Sequence, residues 1–75
     1  MVFEKVQSIV ADKFSMDPSE VTLESEIEKD LKADSIDMAD LIMDLEDAFD
    51  MQIEEDKLAE IKTVGDIVRY IEDNQ

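Results

Sequence analysis

Among the 75 residues of this chain, the one best placed for chemistry is Ser35. Asp34 before it is a good helix N-cap, and Asp37, three residues past the cap, completes an acidic capping box. That spacing sets the Ser35 hydroxyl outward at the first helical position, over unpaired backbone N–H groups and the positive end of the helix dipole. An attached phosphate is best tolerated at such a place. The chain offers little other reactive chemistry. It has no cysteine, hence no disulfide, thiolate ligand or thiol nucleophile. It has no histidine, the commonest general base and metal ligand. Asp34, Asp37 and Asp40 have helical rather than loop spacing and no glycine among them, so they do not form an EF-hand loop, and only diffuse divalent binding is expected. Paired carboxylates also suggest glycosidase-like acid–base work. A chain this small, without an evident cleft, His, Cys, Trp or Gly-rich loop, is not expected to be an enzyme. We therefore expect no catalytic residue and no dedicated metal site.

The hydroxyl has to be positioned by helices, and the apolar residues recur at helical spacing in four places. A first helix is predicted over Val2 to Phe14, with Phe3, Val6, Ile9, Val10 and Phe14 on one face. Asp17-Pro18-Ser19-Glu20 combines an N-cap, a proline at the first position and a glutamate at the third, which predicts a short helical turn ending near Val21. The connection from Thr22 to Ala33 is too long to be structureless in so small a domain, and Val21, Leu23, Ile27 and Leu31 are expected to pin it with inward side chains. The second helix is predicted from Ser35 to Asp50, with a stripe of Met38, Leu41, Ile42, Leu45 and Phe49. Met51-Gln52-Ile53 turns the chain with Ile53 inward. A short third helix is predicted over Glu55 to Ile61. Thr63 then caps a fourth, with Asp66 at its third position and Val64, Ile67, Val68 and Ile71 on the buried side. Asp73-Asn74-Gln75 is expected to fray. No stretch alternates with period two, so no sheet is expected. The result is an all-α domain over residues 1–75, a small four-helix bundle of three longer helices and one short helix closed by a long first loop.

Seven Lys and Arg stand against 22 Asp and Glu, a formal charge of −15. That balance argues against nucleic acid or anionic membrane and favours partners with basic patches. It also pushes the fold apart, so stability is expected to rise with salt. From Ala33 to Asp56 there are ten carboxylates and no Lys or Arg. A helix built for stability alone would interleave lysines and place cations at its C-terminal end. The stability forgone points to recognition by complementary charge. No apolar run reaches the ~20 residues of a membrane span, and Met1-Val2-Phe3 is not a signal peptide; a cytoplasmic monomer is expected.

Asp34-Ser35-Ile36-Asp37, followed by Leu41-Ile42-Met43 and Leu45-Glu46-Asp47-Ala48-Phe49, resembles the modification site and second helix of the acyl carrier proteins of type II, dissociated, fatty acid synthesis. The likeness continues through Ile53, Ile61, Thr63-Val64 and Tyr70-Ile71. The family usually has glycine two residues before the aspartate, where this chain has Lys32. In that family the serine carries 4'-phosphopantetheine, donated by coenzyme A, and the arm's thiol holds the acyl chain as a thioester; the resemblance gives this role to Ser35. It implies that Asp34, Asp37, Asp40, Glu46 and Asp47 dock on basic patches, with Ala39 and Met43 as an apolar contact between the charges. The partners so implied are the holo-acyl-carrier-protein synthase, malonyl transferase, ketosynthases, reductases, dehydratases and acyltransferases. In a carrier, a guest chain would enter among Met38, Ile42, Leu45, Ile53, Ala59, Ile61 and Ile67, in a methionine-containing core that can deform. Two other readings stay open: a specialised carrier for polyketide, peptide or D-alanine transfer, and an unmodified acidic interaction or divalent-ion-binding module.

Overall fold

The periodicity of the sequence is realised as four α-helices in a computed structural model that describes residues 2–74. They are α1 (Val2–Lys13), α2 (Ser35–Phe49), α3 (Glu55–Leu58) and α4 (Val64–Asn74), with a 3₁₀ turn at Pro18–Glu20. Val6 and Val10 of α1, Leu41 and Leu45 of α2, and Val64, Ile67 and Ile71 of α4 are fully buried and form the centre of the core. Each such side chain contributes about 1.5–3 kcal/mol relative to exposure. Phe3, Ile9, Phe14, Met38 and Phe49 close the core from its margins, half-buried. The bundle matches the expected architecture. The one feature resembling a sheet among the described residues is an isolated antiparallel bridge between Glu26 and Thr63.

The 3₁₀ turn forms as its sequence dictates. Asp17 accepts the Ser19 N–H, Glu20 accepts the Asp17 N–H, and Pro18 lacks the donor that would go unpaired there. Gln7 Nε2 of α1 donates to the carbonyls of Pro18 and Val21, at 2.7 and 2.9 Å, and ties the turn to the bundle. Beyond it the long connection is held by backbone more than by side chains. Ile27 N–H donates to Lys62 O, Val64 N–H to Ser25 O, and Gly65 N–H to Leu23 O. Val21, Ile27 and Leu31 point inward as expected, but Leu23 does not: it is 49% exposed. Its carbonyl is what the start of α4 requires, and an inward carbonyl leaves the side chain in solvent. Ser25 is the buried residue instead, its Oγ accepting the Thr22 N–H.

Three boundaries differ from the sequence reading. α1 and α2 each stop one residue early; Asp50 takes the left-handed C-cap conformation, φ 51°, and its N–H bonds to Glu46 O. α3 ends at Leu58 rather than Ile61, because the N–H groups of Glu60 and Ile61 close short turns onto Lys57 O and Leu58 O and deliver Ile61 to the core. The C-terminal residues expected to fray remain helical through Asn74, whose Nδ2 also donates to Tyr70 O one turn back; Gln75 lies outside the described residues.

Candidate functional site

The turn from Glu26 to Leu31 sets up the approach to α2. Glu26 N–H donates to Asp30 Oδ2, the N–H groups of Asp30 and Leu31 return to Glu26 O, and Ala33 N–H reaches Ile27 O. Leu31 and Ala33 are buried on either side of Lys32, so the chain must reverse at Lys32 itself, which adopts a left-handed φ of 56°. That conformation costs a residue with a Cβ roughly 1–2 kcal/mol and glycine nothing comparable. Asp34 then caps α2. Its Oδ1 accepts the Asp37 N–H at 2.9 Å, and Asp37 Oδ2 accepts the Asp34 N–H at 3.3 Å.

Ser35 follows the cap, exposed at the first helical position. Among the described residues no protein acceptor takes the N–H of Ser35 or Ile36. Outward hydroxyl, open N–H groups and dipole thus coincide, as the spacing requires. Beside them opens a cleft of about 750 Å³, reaching from Ser35 over Ala33, Met38 and Ala39 to Leu58, Ala59 and Ile61, with Ile27 in its wall and Lys29, Lys62, Glu26, Glu28 and Asp34 around it. Of the residues proposed to receive a guest chain, Met38, Ala59 and Ile61 line this open cleft, whereas Ile42, Leu45, Ile53 and Ile67 lie buried outside its lining.

The acidic residues of α2 fall into two sets. Asp34 and Asp37 hold the helix start, and Glu46 Oε2 accepts the Ile53 N–H at 2.8 Å, tying the chain that leaves the helix. Asp47 is exposed and has no such bond, and the same holds for Asp40, which is half-buried. Ala39 and Met43 are exposed, Met43 at 55%. The cations missing from α2 itself come from α1. Lys5 Nζ donates to Ala48 O in the last turn and lies 5.0 Å from the centre of the Phe49 ring. Lys13 Nζ bonds Asp44 Oδ2 at 2.8 Å. The Asp44 bond raises the Lys13 ammonium above its ordinary pKa against the opposing effect of desolvation, and the fields of Asp44, Asp40 and Asp37 add to the rise.

Three neighbours of the hydroxyl were not picked out by sequence reasoning. Ile36 is 72% exposed beside Ser35. Its offset from the Met38, Leu41, Ile42, Leu45 stripe was a readable signal, since an apolar residue off the stripe must face solvent. Lys29 and Lys62 reach the cleft only because the Glu26–Thr63 bridge joins their two loops, and no local pattern announces that pairing.

A serine so presented, at the mouth of an apolar cleft and with helix N–H groups free to meet an anion, fits a phosphate-linked arm. Residues 4–71 match the family described as phosphopantetheine attachment site. The chain is 45% identical over 74 residues to the acyl carrier proteins of Helicobacter acinonychis and Helicobacter pylori, covering 99% of this chain and 95% of each relative. In structure it resembles the acyl carrier protein of Enterococcus faecalis, with a TM-score of 0.84, 36% identity and coverage of 99% and 94% of the two chains. It also resembles a putative acyl carrier protein of Mycobacterium tuberculosis, with a TM-score of 0.92, 28% identity and full coverage of both. The match over nearly its whole length, together with a helix-start serine opening onto an apolar cleft, places this chain in the acyl carrier protein family, as a carrier of acyl groups on 4'-phosphopantetheine.

Proposed function

We propose that Ser35 is the attachment residue, that the chain carries growing fatty acyl groups without catalysing their chemistry, and that the outer face of α2 is read by basic patches on fatty acid synthesis enzymes. The observation that carries this reading is the exposed Ser35 hydroxyl at an open helix start, on the rim of an apolar cleft. Serine here has only to be reachable. A modifying enzyme supplies the base that takes the Oγ proton and binds coenzyme A. Ser35 Oγ forms a new bond to the phosphorus that bears pantetheine, the pyrophosphate P–O bond breaks, and the adenosine bisphosphate half leaves. The arm, once attached, supplies the thiol that a chain without cysteine lacks.

The rest of the work falls to the chain's own residues. Asp34 and Asp37 fix the helix start and so the direction of the hydroxyl. Ile36, Ala39 and Met43 offer apolar contact between Asp40 and Asp47. Met38, Ala59 and Ile61 give the first apolar ground for a cargo. Passage deeper, toward Ile42, Leu45, Ile53 and Ile67, requires α2 and its neighbours to part, at a cost offset by about 0.8 kcal/mol per methylene buried. Intact-mass measurement after incubation with coenzyme A and a phosphopantetheinyl transferase tests the assignment. One arm is expected on the parent protein and none on a folded Ser35→Ala variant. An unmodified parent overturns it and leaves the acidic interaction module as the better reading, whereas an arm on the Ser35→Ala protein overturns Ser35 as the place of attachment and leaves the chain a carrier.

A further inference from the structure

The helix start around Ser35 lies between two carboxylates, Asp34 and Asp37, that repel an attached phosphodiester, yet the cleft beside it also gathers two lysines from separate loops. Five of the chain's seven cations lie off this cleft's lining, and four of those have protein partners: Lys5 on Ala48 O, Lys13 on Asp44, Lys57 near Glu60, and Arg69 on Asp66. The two that line it are Lys29 and Lys62. Lys29 is shared with Glu26, a loose pair at 4.0 Å in which the lysine side chain is 79% exposed. Lys62 is exposed, and among the described side chains no carboxylate pairs with it. Its place is fixed through the backbone, since Lys62 N–H donates to Asp66 Oδ2 and Lys62 O accepts from Ile27 N–H.

We propose that Lys62, assisted by Lys29, holds the phosphodiester root of the arm on Ser35 toward the cleft. The two lysines are positioning residues that bias the resting arm inward over the apolar floor. This rests on Ser35 being the attachment residue. A single anion bound by an unpaired lysine and a loosely paired one gains from both charges, against Glu26 and Glu28 on the same rim. The pairing is exposed, so it yields readily to salt and to a partner's competing cations. A basic patch docking on α2 would then release the arm as it binds. The clamp joins the loop before α2 to the segment before α4, so it holds only while the Glu26–Thr63 bridge is made.

The test uses the full chain in its apo and arm-bearing forms: the parent, Lys29→Gln with Lys62→Gln, and a charge-matched control, Lys57→Gln with Arg69→Gln. Intact mass first shows whether each protein carries the arm; absence of the arm from the parent overturns the attachment reading and this proposal together. With the arm in place at low salt, loss of both cleft lysines is expected to lower the melting temperature of the arm-bearing form relative to its own apo form. The drop should be about 4 °C more than in the parent or the control. The phosphorus NMR resonance of the phosphodiester is expected to shift with added salt in the parent and in the control but not in the cleft-lysine variant. If the arm is present and the three proteins share one apo-to-holo shift and one salt response, the clamp is refuted while the attachment reading stands.

Discussion

At the start of α4, Thr63 Oγ1 accepts the Asp66 N–H and Asp66 Oδ2 accepts the Thr63 N–H; at the start of α2, Asp34 and Asp37 exchange the same pair of bonds. The two caps differ in what meets the next N–H groups. In α4 the loop covers them, with Ser25 O on Val64 N–H and Leu23 O on Gly65 N–H, and both residues are buried. In α2 the corresponding residues, Ser35 and Ile36, are exposed and no protein acceptor among the described residues meets their N–H groups. One helix start is closed to anchor the long loop; the other is left open to solvent. The same capping chemistry therefore serves stability at α4 and access at α2. Substitutions at matched positions should have unequal costs.

The largest difference is expected at the second helical position. A Cβ on Gly65 would lie 2.8 Å from the Leu23 carbonyl oxygen, which is backbone and cannot swing aside. Gly65→Val is expected to cost at least about 2 kcal/mol and lower the melting temperature on the order of 10 °C. Ile36→Ala at the matched place in α2 should stay within about 0.5 kcal/mol of the parent. Equal melting of the two variants by circular dichroism would remove the contrast.

The caps come next. Asp66 accepts the N–H groups of both Lys62 and Thr63 and pairs with Arg69. The Lys62 N–H bond, with those of Thr63 and Arg69, holds its carboxyl below the ordinary 3.8, against the opposing effect of burial. A carboxyl with a depressed folded-state pKa contributes its full stability above the unfolded value and loses it as pH falls through the folded one. Asp66→Asn is therefore expected to cost about 1–2 kcal/mol at pH 7. The gap to the parent should close as the pH is lowered below 3.8. A gap that stays constant from pH 7 to pH 2 would mean that the carboxylate's charge is not what holds the loop.

How much of this was legible in the residues depends on how local each signal is. The Asp34-Ser35-Ile36-Asp37 cap and the Thr63–Asp66 cap are contained within a few positions, so boundaries, dipole direction and the exposed hydroxyl all followed from spacing. The apolar stripes likewise marked Val6, Val10, Leu41, Leu45, Ile67 and Ile71 as core. What was not legible is long-range. Leu23 was expected inward because it is apolar, whereas the fold uses its carbonyl. The acidic α2 looked unrelieved because its cations, Lys5 and Lys13, lie on another helix. Glu46 looked like a free docking charge, yet one of its oxygens holds Ile53 N–H. The cleft beside Ser35 is composed of three segments that meet only after folding.

The approach to α2 carries a conformational cost that the approach to α4 avoids. Lys32 has a left-handed φ of 56°, and its side chain is exposed. Lys32→Gly is expected to stabilise the chain by about 1 kcal/mol, raising the melting temperature on the order of 5 °C. Lys32→Ala, which keeps the Cβ, should not reproduce the gain. Equal stabilisation by the two would assign the effect to removal of charge rather than to backbone conformation.

The smallest expected effect on stability is at Asp47, and for that reason it is the best probe of the open face. Asp34, Asp37 and Glu46 each hold a backbone N–H, and Lys13 feels the field of Asp40, so reversing any of them changes the fold's own interactions along with the surface. Asp47 is exposed and makes no such bond. Asp47→Lys is expected to leave stability within about 0.5 kcal/mol, while Glu46→Lys loses the Ile53 N–H bond and about 1 kcal/mol or more. If partner docking reads the outward charge of α2, Asp47→Lys must still slow association with a ketosynthase or the holo-forming enzyme and flatten its dependence on salt. Stopped-flow association rates across a salt series separate the cases. An unchanged slope for Asp47→Lys with a reduced one for Glu46→Lys would mean that partners sense the integrity of the helix end rather than its charge.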